Sequence, residues 1–171
     1  MSSRVFSRRP HWAALVAIAA ALSTAPACGV TSVTIRGSSM SPAFKDGETA
    51  IGVRNVDPIV RGDVIGFRYP RDETKSFIQR VIGLPGEDIE ITNGRVAING
   101  RPIEEPYVLP ENNVPFSLSR RRIADGEYFV MGDNRGNSLD SRFSLGDVPI
   151  DNVIGKAFVI MWPPSRAGLL H

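Results

Sequence analysis

The chain has 171 residues, 42% of them hydrophobic, which is enough for one domain with a real core and too apolar for a disordered chain. Twenty basic residues against 18 acidic ones leave a formal charge of +2, and with no long basic stripe this gives no reason to expect a nucleic-acid partner. The single cysteine, Cys28, excludes an intramolecular disulfide, and two histidines near the ends, His11 and His171, argue against a histidine metal site or a Ser-His-Asp triad.

The N-terminus begins with Arg4, Arg8 and Arg9 and continues into an apolar run from Trp12 to Leu22. Basic residues before an apolar segment hold the N-terminus in the cytoplasm and send the rest of the chain to the other side. Three readings are open: a membrane anchor, a cleaved signal at Ala25-Pro26-Ala27, or a lipoprotein signal ending at Cys28. All three export the chain beyond about residue 30.

From Thr31 onward helical periodicity is scarce, and short β-rich pieces alternate with Gly and Pro. VTSVTI (30–35), TAIGVRNV (49–56), DVIGFRYP (63–70) and SFIQRVIGL (76–84) read as strands. DIEITNGRVAING (88–100) reads as a hairpin, because Asn93-Gly94 suits the positive φ angles of a two-residue turn. Residues 101–122 carry four prolines and read as extended loop and edge. GEYFVMGDN (126–134) and VIGKAFVIMWP (153–163) read as strands returning to the core.

One strand contains an oddity. In SFIQRVI the residues Phe77, Gln79 and Val81 share a face, so a polar side chain sits between two apolar ones. A polar group so placed is normally hydrogen-bonded or functional. Two further stretches are dense in polar groups. Ser38 and Ser39 lie in a Gly-containing turn, RGSSMSPAFKDGE (36–48). GDNRGNSLDSR (132–142) has the makings of a hydrogen-bonded scaffold, with Asp140 and Arg142 able to pair.

Taken in order, GSSMSP, RGDVIGF, QRVIGLPGE and GDNRGNSLDSR resemble the type I signal peptidases, the leader peptidases of the bacterial membrane. The resemblance runs from about residue 12 to 163. It implies a mainly β fold: an antiparallel β-sheet catalytic core with a small inserted β cap, preceded by one N-terminal transmembrane helix. The expected segments are a basic tail and anchor over 1–30, a core over 31–85 plus 126–165, a cap over 86–125 and a tail over 166–171. The resemblance also implies a single-pass protein of the cytoplasmic membrane, N-terminus inside and catalytic domain on the outer face. Its partners would be signal-peptide-bearing preproteins and the lipid bilayer, without nucleic acid, metal or other cofactor.

By the same resemblance Ser39 is the nucleophile and Ser138 orients the general base. Gly37, Met40, Pro42, Arg80, Asp133, Asn134, Arg135, Asp140 and Arg142 support the site, and the Ser39 N–H with a group at Gly37 holds the oxyanion. The general base of the family is a lysine, and its position is occupied here by Gln79. A glutamine amide hydrogen-bonds but takes no proton near neutral pH. Loss of a member of a serine triad leaves only about 10³–10⁴-fold acceleration over water, and a similarly severe loss is expected. Of the three lysines, Lys75 lies about 13 Å up the same strand, Lys156 has no argument for proximity, and Lys45 is the best substitute. The implied function is a membrane-bound serine endopeptidase that removes signal peptides after small-residue (A-x-A) sites. The alternative is a pseudoprotease that binds exported peptides or scaffolds an active peptidase; a third is a relative dedicated to one substrate.

Overall fold

The computed structural model describes residues 29–54 and 58–169. The anchor, cleaved-signal and lipoprotein readings fall on residues 1–28, outside the described residues. Among the described residues no helix is long and apolar enough to cross a membrane.

Twelve strands follow in chain order among the described residues: β1 (Val30–Thr34), β2 (Thr49–Val53), β3 (Val64–Tyr69), β4 (Asp72–Gly83), β5 (Asp88–Thr92), β6 (Arg95–Ile98), β7 (Arg101–Pro102), β8 (Leu118–Arg122), β9 (Glu127–Met131), β10 (Val148–Pro149), β11 (Val153–Trp162) and β12 (Gly168–Leu169). They form two antiparallel sheets. The larger runs β1-β2-β11-β3-β4-β9-β10, with β12 paired to β11, and the smaller runs β7-β6-β5-β8. The mainly β, antiparallel architecture expected from the sequence is what the chain adopts.

Local chemistry accounts for most of these strands. Asn93 (φ 49°) and Gly94 (φ 80°) make the tight turn joining β5 to β6, as the Asn-Gly pair requires. Asn99 and Gly100 repeat it between β6 and β7. Residues 118–122, within the segment read as extended loop and edge, form β8, an edge strand that pairs with β5. SRRR shows no alternation of its own, so the open edge of β5 supplies what the local pattern lacks.

Three apolar clusters hold the sheets. Ile82, Phe129 and Met131 of the large sheet pack against Ile89, Ile91, Val96 and Ile98 of the small one, which fastens the two together. On one face of the large sheet, Val64 and Ala157 pack with Ile35, Met40 and Phe44. On the other, Ile65, Phe67 and Val81 pack with Val130, Leu145 and Val148. The first of these faces carries the Ser39 turn.

Candidate active site

Ser39 owes its place to its apolar neighbours. Met40 (1% exposed) and Phe44 (0%) are buried four residues apart, and the Phe44 N–H donates to the Met40 carbonyl at 2.8 Å. Burying that pair presses the turn onto the sheet and leaves Ser39 half-buried at the wall of a pocket of about 480 Å³. The other walls come from Thr31–Arg36, Phe77 and Ile78.

Residues 132–142 clamp this turn from the other side. The Asn134 N–H donates to the Ser39 carbonyl at 2.9 Å, and Asn134 Nδ2 to the Ser38 carbonyl at 3.3 Å. Asn137 Nδ2 donates to Ser38 Oγ at 2.8 Å. Gly132 lies so close that a Cβ there would collide with both Ser138 Oγ and the Ser39 carbonyl. Glycine is therefore required at 132 by close approach. It couples the Ser39 turn to Ser138.

Gln79 is 1% exposed. Its Nε2 donates to the Leu139 carbonyl at 2.5 Å and to Ser138 Oγ at 3.4 Å. Its Oε1 is buried and accepts nothing among the described residues. The groups that Gln79 meets, the Leu139 carbonyl and the Ser138 hydroxyl, both lie on its amide nitrogen, and none donates to Oε1. A buried acceptor without a partner costs about 1–3 kcal/mol. A lysine has no acceptor oxygen to leave unpaired there. Gln79 thus sits in its pocket with one polar atom unpaired. No hydrogen bond joins Gln79 to Ser39 among the described residues; their link runs through Ser138 and Gly132.

Three buried arginines stiffen the frame. Arg80 makes two bonds to Asp133, at 2.8 and 2.7 Å, and a third to the Gly62 carbonyl. Burial pushes the Asp133 carboxyl upward against the pull of Arg80. Arg142 makes two bonds to Asp140, at 2.8 and 2.9 Å, and one to the Arg135 carbonyl. Arg135 donates to the Gly132 carbonyl and pairs with Glu105 at 2.6 Å. Planar two-bond pairs of this kind fix direction as well as distance. Glu105 and Tyr107 went unnoticed in the sequence. Tyr107 lays its ring 4.1 Å from the Arg80 guanidinium, and burial pushes its hydroxyl upward. Their sequence signal was hidden in a proline-rich segment without alternation.

Two of the three lysines stand in solvent, and the third lines the pocket. Lys45, expected to be the best substitute base, is exposed, while Lys75 pairs with Asp72 at 2.7 Å and is also exposed. Lys156, which no sequence pattern placed nearby, lines the pocket with Ser39. Pairing of β11 with β3 and of β3 with β4 puts Lys156, Ile65 and Gln79 in one cross-strand row. Its Nζ lies 2.6 Å from Asp63 Oδ1. Gly37 has no hydroxyl, and its N–H donates to Asp46 at 2.7 Å, so that N–H is already engaged. Pro42 contributes its carbonyl, which accepts from Arg166 at 3.1 Å. Among the described residues no three His, Cys, Asp or Glu side chains gather where they could hold a metal ion.

This arrangement has counterparts in other proteins. The signal peptidase I of Leptolyngbya laminosa is 43% identical over 122 residues, which is 67% of this chain and 58% of that protein. Signal peptidase I U of Bacillus subtilis is 37% identical over 139 residues, covering 75% of this chain and 74% of its own length. The chain thus spans little more than half the length of the first relative and about three quarters of the second. The crystal structure of a signal peptidase I from Enterococcus faecalis superposes with a TM-score of 0.51 at 33% identity, covering 60% of this chain and 98% of that one. The sequence profile described as "Signal peptidase, peptidase S26" matches residues 9–162. This chain belongs to the signal peptidase family, peptidase S26.

Proposed function

We propose that the chain is a serine endopeptidase of the signal peptidase I type, with Ser39 as nucleophile and signal-peptide-bearing preproteins as substrates. The observation that carries the reading is the contiguity of Ser39, Gly132, Ser138 and residue 79. An extended peptide in the pocket would place its scissile carbonyl at Ser39. Attack by Ser39 Oγ forms an acyl ester and releases the peptide amine, which carries away a proton; water then hydrolyses the ester. The Ser39 N–H has no acceptor among the described residues and can donate to the oxyanion. Gly37 offers no second donor, because its N–H is held by Asp46.

The weak point is the proton. Gln79 can orient Ser138 but cannot take the Ser39 hydroxyl proton. Turnover is therefore slow, limited to what binding and the oxyanion donor provide. The membrane setting rests on Arg4, Arg8 and Arg9 preceding the apolar run, which puts the catalytic part on the outer face. Small residues are expected at the cleavage site.

The unproductive chemistry of Gln79 favours a second reading: a pseudoprotease that binds exported peptides without cleaving them. Mixing the purified chain with a preprotein, beside Ser39→Ala, separates the two. Product from the wild type alone supports the enzyme. Equal absence of product with peptide binding retained supports the pseudoprotease. Absence of both product and binding defeats both readings.

A further inference from the structure

Three glycines of the central strands line the Ser39 pocket: Gly52 on β2, Gly66 on β3 and Gly155 on β11. Two of them have a structural reason. A Cβ on Gly52 would stand 2.9 Å from the Lys156 carbonyl, and one on Gly155 would stand 2.5 Å from the Val53 carbonyl. The backbone of the neighbouring strand leaves no room for a side chain at either place. Gly66 has no such reason. A Cβ there would meet nothing nearer than the Phe77 carbonyl at 3.9 Å, and its φ is not among the positive ones. A Cβ would fit there in ordinary contact.

Glycine inside a strand weakens it, and where packing does not explain it, it often marks the close approach of a ligand. The face of Gly66 agrees. It lies two residues from Val64, whose side chain packs with Met40 and Phe44 on the Ser39 side of the sheet. Its cross-strand partners are Ile78 and Gly155, so the surface around it is one apolar side chain beside a second bare backbone. The pocket, at about 480 Å³, is within the range of about 300–1,000 Å³ typical of sites that enclose a ligand group.

We propose that Gly66 is a specificity-determining residue: its missing side chain deepens the Ser39 pocket into a recess over Gly66, Ile78 and Gly155 that accepts one large apolar side chain of the bound peptide. The inference rests on the peptide-binding reading of the pocket and holds for either the enzyme or the pseudoprotease. The substrates are then exported peptides with a bulky aliphatic or aromatic residue at one position near the cleavage site, beside the small residue that Ser39 faces. A side chain grown from Gly66 competes for the same space.

The test is binding, so it does not need turnover. A set of extended peptides, identical except for Ala, Leu or Phe at one scanned position at a time, is titrated against the full-length chain, Gly66→Ala and Gly66→Val in detergent micelles. Wild type is expected to bind the Leu or Phe peptide at least about tenfold tighter than its Ala counterpart at one position, the discrimination that apolar pockets reach. Gly66→Val should abolish that preference while binding the Ala peptide as before, and Gly66→Ala should fall between. Both variants should melt at or above the wild-type temperature, which separates filling the recess from misfolding. A wild type with no preference for size at any position, or a preference that survives Gly66→Val, overturns the proposal and leaves the peptide-binding reading standing. If none of the three proteins binds any peptide, that reading falls and takes this one with it.

Discussion

The two ends of β4 place similar chemistry in opposite surroundings. At the outer end Lys75 and Asp72 meet at 2.7 Å in solvent, with Lys75 65% exposed. At the inner end Arg80 and Asp133 meet at 2.7 Å while fully enclosed, and Gln79 beside them is 1% exposed. In solvent, charge is cheap to keep and the pairing is worth little. In the interior each charge must be matched and each acceptor needs a donor, so the Arg80–Asp133 pair holds the frame and the orphaned Gln79 oxygen is a defect. A lysine at 75 stays an ammonium. A lysine at 79 would be desolvated, the condition under which an amine becomes neutral and can act as a base.

Gln79→Lys tests this contrast most severely. It should raise the rate of preprotein cleavage by about 10³-fold or more, since it restores the missing member of the catalytic unit. The rate should climb with pH as the new amine loses its proton. A folded variant with no gain would show that the inner end of β4 no longer has the surroundings of a base. Arg80→Ala comes next. It leaves Asp133 buried without its partner and removes the cation over Tyr107. A loss of about 3–5 kcal/mol is expected in urea denaturation. A loss below about 1 kcal/mol would place this pair with the surface ones.

An intermediate case sharpens the comparison. Glu48 is buried, but its partner Arg166 is partly exposed. Burial alone would raise the Glu48 carboxyl, yet the bonds from Arg166 and the Lys45 N–H hold it below its ordinary 4.5. The folded state therefore binds this proton less readily than the unfolded chain does. The resulting stabilisation is complete above pH 4.5 and is lost as the pH falls through the lower folded value. Thermal melts against pH should show a shallower acid limb for Arg166→Ala than for the wild type.

The smallest effect belongs to Lys75→Ala. The hydrogen bond from Lys75 is the main reason why the Asp72 carboxyl lies at about 2. An NMR titration should find it moving up toward 3.8 in the variant, with the melting temperature unchanged. A fall in melting temperature as large as that of Arg80→Ala would erase the distinction between the two ends.

Much of this was legible along the chain. The alternation in 64–69 and 88–98 and the Asn93-Gly94 turn are local signals, and the strands formed where they pointed. β8 fell in the segment read as extended loop and edge, but its bounds could not be read because SRRR carries no alternation; its pairing with β5 is a long-range fact. The pairing of Asp140 with Arg142 was readable because the two stand two residues apart. The bond between Arg135 and Glu105, thirty residues apart, was not.

The sequence alone determined which residue types are present: a serine in a Gly-Ser-Ser-Met turn, a glutamine between two apolar neighbours on one strand face, and a β-rich chain. These follow from covalent chemistry and local periodicity. Only the tertiary structure decided what each residue faces. It put Lys156 rather than Lys45 at the pocket with Ser39, engaged the Gly37 N–H with Asp46, and left Gln79 Oε1 without a donor. It also showed that Gly66, unlike Gly52 and Gly155, is a glycine the fold does not need. Sheet order and register bring together groups far apart in sequence, and no pattern within one strand encodes its neighbours.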